Sequence, residues 1–102
     1  MWYVSIFDAK ENITLEQIQQ ERKRWLELDK NRIFMQKCKT INRYEVLGFA
    51  PLKIIFVIET DDPDILNLFS HHFSDLWNSV TYPVIPRSIA EALEGEHFVI
   101  GG

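Results

Sequence analysis

The stretch Lys53-Ile54-Ile55-Phe56-Val57-Ile58-Glu59-Thr60, followed at once by Asp61-Asp62-Pro63-Asp64, decides how this chain folds. Its first eight residues are mostly β-branched or aromatic and run into turn formers, the pattern of a strand. Both alternate sets are apolar: Ile54, Phe56 and Ile58 on one face, Ile55 and Val57 on the other. An antiparallel strand with helices on one side only would show polar residues on the other. Here both faces ask to be covered. The acidic tetrad then opens a helix: Asp62 can cap, Pro63 suits the first helical position, and the carboxylates favour the positive end of the helix dipole. The apolar spacing predicts that this helix runs to about Trp77.

Working outward, Trp2-Tyr3-Val4-Ser5-Ile6-Phe7 is a second strand, again with apolar residues on both faces. Thr14-Leu15-Glu16-Gln17 is a capping box, in which the Thr14 hydroxyl takes an orphan backbone N–H and Gln17 reaches back. Leu15, Ile18, Trp25 and Leu26 recur at helical spacing, which predicts a helix to about Lys30 with Asn31 as a left-handed C-cap. Ile33-Phe34-Met35 reads either as a last helical turn or as the start of a strand. Thr40, Ile41, Tyr44 and Val46 favour a strand between Lys37 and Leu47, and Gly48-Phe49-Ala50-Pro51 a loop. Thr81–Ile85 is a short strand that Pro83 marks as an edge. Ser88 caps a short helix to about Leu93, and Phe98-Val99-Ile100 is an apolar tail. The order β-α-β-β-α-β with an extra C-terminal helix is the split βαβ, ferredoxin-like arrangement: an α+β fold with an antiparallel sheet, in a single domain over residues 1–102. Two helices cover one face of such a sheet. For the other face, a second copy of the chain is the simplest partner.

The run Phe56-Val57-Ile58-Glu59-Thr60-Asp61-Asp62-Pro63, with Tyr82-Pro83-Val84-Ile85 about twenty residues on, resembles small uncharacterised domains of the dimeric α/β-barrel superfamily. The resemblance extends over nearly the whole chain in element order and implies a homodimer with sheets packed face to face. That superfamily includes muconolactone isomerases, cofactor-free quinone-forming monooxygenases, haem-degrading enzymes, chlorite dismutases and ligand-sensing regulatory domains. No catalytic motif of these maps onto this chain residue by residue, so the resemblance implies an architecture and no reaction.

Composition excludes several classes. With 102 residues, 46% hydrophobic and 25% charged, the chain has the balance of a soluble globular domain. A net charge of −4 argues against nucleic acid as a partner. One cysteine, Cys38, allows no internal disulfide, and it reads as a small buried hydrophobe. The N-terminus lacks the features of a signal peptide, and no apolar run is long enough to span a membrane. The expected location is the cytoplasm. Charge is uneven: Glu21 to Arg43 carries eight basic and three acidic residues, net +5, whereas Glu59 onward carries one basic and eight acidic, net −7. The positive stretch is either a solvated face or a rim that steers anions.

Polar groups on apolar arcs mark the candidate site. At about 100° per residue, His72 falls within the arc of Ile65, Leu68, Phe69, Phe73 and Leu76, while His71 points away. An inward His72 is either a satisfied core histidine or a general base or metal ligand. Arg22 sits within the arc of Leu15, Ile18, Trp25 and Leu26. It either snorkels past Trp25 or meets an anion: Glu59, Asp29 or a bound carboxylate. Tyr44 and Asn42 share one strand face, Arg43 and Glu45 the other. Glu59, at the end of an apolar strand, is a candidate base. The expected ligand site is Arg22, Trp25, Tyr44 and His72, with His72 and Glu59 as candidate catalytic groups, and no metal or cofactor. The function expected is a homodimeric module that binds a small anionic or aromatic molecule, or a protein. The alternatives are a small isomerase or cofactor-free monooxygenase acting on an aromatic or oxo-acid substrate, and haem binding through His72.

Overall fold

The structure is a computed structural model and describes residues 1–48 and 52–94. Its elements are β1 (Trp2–Ala9), α1 (Leu15–Glu27), α2 (Lys30–Lys37), β2 (Cys38–Glu45), β3 (Lys53–Thr60), α3 (Asp64–His72) and β4 (Trp77–Val84). A further helical turn covers residues 89–94. Ser88 caps it as the sequence foretells, its Oγ accepting the Glu91 N–H at 3.1 Å. The four strands lie in the order β2-β3-β1-β4, every pair antiparallel. This is the ferredoxin-like order, with the most apolar strands, β1 and β3, in the centre. The tail at Phe98–Ile100 and the loop residues Phe49–Pro51 lie outside the described residues.

Register assigns the two faces. Phe7 lies opposite Ile54 and Ser79, and Tyr3 opposite Ile58 and Pro83. Phe7, Ile54 and Ile58 are buried with Ile18, Trp25, Phe34, Ile65, Leu66 and Phe69 of the helices, so this face carries the core. Ser5 on the same face is buried and meets Thr81 Oγ1 at 2.8 Å, which satisfies its hydroxyl. Thr60 is fully buried where three elements converge. Its hydroxyl donates to the Lys37 carbonyl at 2.6 Å and accepts the Asp62 N–H at 3.0 Å, tying the end of α2 and the turn before α3 to the end of β3.

The opposite face carries Trp2, Val4 and Ile6 of β1, Ile55 and Val57 of β3, Tyr44 of β2, and Val80, Tyr82 and Val84 of β4. No element of the described chain packs over it. Tyr44, Val80 and Tyr82 are exposed, at 55%, 48% and 54%. The expectation that both faces are apolar holds, and the described residues cover only one.

Four details depart from the sequence reading. The first helix is two: α1 stops at Glu27, Asp29 takes the left-handed conformation (φ 61°), and α2 starts at Lys30. Asp29, not Asn31, is the left-handed residue. An Asp tolerates that region, and its carboxylate accepts the Arg32 Nε–H at 2.9 Å. Asn31 instead belongs to α2, where its Oδ1 accepts the Trp25 Nε1–H at 2.9 Å. Secondly, α3 ends at His72, and β4 begins at Trp77 rather than Thr81. Pairing with β1 along all eight residues, with Trp77 opposite Ala9, outweighs continued helical spacing. Phe73 and Leu76 are buried as foreseen, but from the intervening turn. Thirdly, Pro63 is the N-cap of α3, and no side chain caps that helix. Finally, Leu15 and Leu26 are exposed, so the buried stripe of α1 narrows to Ile18 and Trp25. The Thr14–Gln17 capping box forms as read, with Gln17 N–H donating to Thr14 Oγ1 at 3.1 Å.

Candidate functional site

On the core-facing side of β2, Ile41 is followed by Arg43 and Glu45, which lie opposite Phe56 and Ile54 of β3. Apolar side chains at these two positions would fill the space beneath α1 and α2. Charged ones, exposed at its edge, leave it open. The result is a cavity of about 600 Å³ between the helices and the β2 side of the sheet. Its walls are aromatic: Phe7 and Phe56 from the sheet, Trp25 from α1, Phe34 from α2, Phe69 from α3, and Phe73 and Trp77 beyond it. The rings brace one another. Phe34 stacks on Phe69 at 4.7 Å between centroids, and Trp25 meets Phe34 and Phe69 edge-on at 5.9 and 5.3 Å. Such contacts hold ring positions as well as burying area. The rings of the wall are therefore positioned by one another.

Three charged side chains reach this space: Arg22, Arg43 and Glu45. Arg43 Nη1 donates to Glu45 Oε1 at 3.0 Å, and both residues are exposed at the mouth. Arg22 comes from α1 and is half-buried. Its Nη2 is buried and has no hydrogen-bond partner. Burial lowers the Arg22 pKa below the usual arginine value. The nearby Arg43 charge lowers it further, and Glu45 opposes the shift. The anions considered from sequence do not supply its partner. Asp29 binds Arg32, and Glu59 lies on the other sheet face, where it accepts the Thr40 hydroxyl at 3.2 Å.

The four expected ligand residues are therefore not brought together. Arg22 and Trp25 line the cavity. Tyr44 points to the uncovered sheet face and takes no part. His72 does face inward, its side chain 3% exposed, but it lies beside Trp25 (5.2 Å between ring centroids) and not on the cavity wall. Its Nδ1 is 3.0 Å from Lys30 Nζ, and its Nε2 is 3.2 Å from both the carbonyl oxygen and Oε2 of Glu21. Both ring nitrogens are thus occupied. Arg43, Glu45 and Phe34 are not among the expected site residues, although the Arg43-Tyr44-Glu45 stretch in sequence suggests a Tyr-lined pocket with an arginine near it. The first two carry a signal that is visible afterwards: two charges in succession on the inward face of a strand whose other inward residue is apolar. Cys38 is half-buried, and burial pushes its thiol pKa up, away from the reactive range.

No family model matches the chain, and no curated protein matches it. Solved structures do. One is a dimeric ferredoxin-like protein of unknown function from Thermobifida fusca, with a TM-score of 0.47 and 13% identity over 81% of this chain and 89% of that one. Another is an antibiotic biosynthesis monooxygenase, with a TM-score of 0.46 and 21% identity over 84% of this chain and all (100%) of that one. A third, from Arabidopsis thaliana, has a TM-score of 0.47 and 12% identity over 86% of this chain and 98% of that one.

Proposed function

We propose that this protein is a small-molecule-binding module that acts as a homodimer, its sheets packed face to face. The observation that carries the binding role is the aromatic cavity. Its volume of about 600 Å³ lies within the roughly 300–1,000 Å³ of ligand pockets, and its lining of apolar walls with a few polar groups is the usual one. Binding is favoured over covalent catalysis because the one carboxylate on the wall, Glu45, is tied to Arg43, and His72 stands behind Trp25 with both nitrogens engaged.

The uncovered sheet face supports the dimer. Four strands of eight residues span a plan area of roughly 500 Å². The relief of the side chains enlarges this toward the roughly 800 Å² per partner of a stable interface. A two-fold axis through the face would place Val4, Ile6, Ile55 and Val57 against their own copies.

A neutral apolar fluorophore, N-phenyl-1-naphthylamine, tests the binding role. It is expected to brighten on binding the native protein and to lose that response in Ile41→Trp, which fills the cavity. Equal brightening in both would locate binding outside the cavity and overturn the reading.

A further inference from the structure

The cavity carries an electrostatic imbalance that defines what fits it. Among the described residues, two guanidinium groups reach the space and one carboxylate answers them, so the site is short of one negative charge. The deficit is localised. Glu45 is already engaged by Arg43 at 3.0 Å, whereas Arg22 Nη2 is buried with no acceptor. A buried donor without a partner is costly, and a charged one more so. The remaining wall is hydrocarbon, apart from Asn31, whose Oδ1 is taken by Trp25.

We infer that the cavity takes a monocarboxylate with a flat, apolar, aromatic body, its carboxylate bound to Arg22 and its ring held among Trp25, Phe34, Phe56 and Phe69. This deepens the binding role proposed above and rests on it. The guanidinium fork matches a carboxylate with two parallel hydrogen bonds. A dianion fits less well, because a second negative charge would meet Glu45. A neutral aromatic would leave Arg22 Nη2 as it stands.

Trp25 and Trp77 lie on the wall, and tryptophan fluorescence supplies the readout. This fluorescence is titrated with 2-naphthoate and, separately, with 2-naphthalenemethanol, the same ring without the charge. The native protein is expected to bind the naphthoate about ten- to a hundred-fold more tightly, the range set by hydrogen bonds to a charged group. Arg22→Met should remove that preference while the alcohol binds as before, and Arg22→Lys should keep part of it. Glu45→Gln, which removes the competing anion, should tighten the naphthoate. Equal affinity for the two probes in the native protein overturns the carboxylate assignment and leaves the cavity reading standing. Binding of neither probe overturns both. Unchanged alcohol affinity in Arg22→Met also shows that the variant is folded, so lost naphthoate binding there reports the missing charge.

Discussion

Lys30 Nζ stands 3.0 Å from Nδ1 of His72, and an ammonium only donates, so Nδ1 accepts. The ring proton then sits on Nε2, which donates to Glu21 through its carbonyl and its carboxylate, each at 3.2 Å. One imidazole in α3 thereby fastens α1 and α2, and its position is a matter of architecture. Replacing His72 by Phe keeps the shape and removes the bonds to Glu21 and to the Lys30 ammonium. The expected cost is about 1–3 kcal/mol in urea unfolding. An unchanged or raised stability would show that these contacts contribute nothing.

Thr60 is the second polar fastener. Thr60→Val is nearly isosteric, yet it leaves the Lys37 carbonyl and the Asp62 N–H without their partner in a fully buried position. Loss of about 1–3 kcal/mol is expected. Because Lys37 ends α2 and Asp62 precedes α3, hydrogen exchange should quicken at both places. Exchange confined to the end of β3 would contradict the three-way link.

Light scattering at micromolar concentration should give about twice the chain mass of 12.1 kDa. Val4→Glu puts a charge in the centre of the uncovered face without entering the core, so it should yield a folded species of single-chain mass. A native protein that scatters as a monomer removes the dimer.

Two surface pairs contribute to the acid limb of stability. Lys39, hydrogen-bonded at 2.9 Å, and the N-terminus at 3.7 Å hold the Asp61 carboxyl below its ordinary pKa, and the Arg32 hydrogen bond does the same for Asp29. A carboxyl depressed in the folded state binds its proton later than in the unfolded chain. Its contribution is therefore complete above the unfolded value near pH 4 and is lost as pH falls through the folded value. Both groups are exposed, so the effect is small and screened by salt. Lys39→Met should make the fall in melting temperature below about pH 4 shallower. An identical acid limb in the variant would show that the pair is not felt.

Strand and helix order was legible because β1, β3 and the Thr14–Gln17 box carry local signals that tertiary packing does not override. The two inward polar residues, Arg22 and His72, were legible from helical spacing alone. Their surroundings were not, since these come from residues distant in sequence: Lys30 and Glu21 bond His72, while Arg43 and Glu45 share the cavity with Arg22 without bonding its Nη2. The break at Asp29 was hidden because Asp and Asn tolerate the left-handed region alike, and only the burial of Trp25 against Asn31 selects between them. The length of β4 was hidden too. Trp77 and Val80 satisfy a helix stripe, whereas in the strand they take opposite faces, and the choice is made by pairing with β1.

The borders of the sheet differ from its open face. In β4, Pro83 removes one backbone donor from the outer strand. In β2, a register shift between Cys38 and Thr40 breaks the ladder, and Lys39 and Arg43 place charge along the rim. Neither border offers a regular template for an incoming strand. Among the described residues, both features disfavour sideways growth of the sheet by strand addition. The proposed contact through the face would instead close on itself after one partner. A chain with this much exposed hydrocarbon is thereby steered away from open-ended polymerisation.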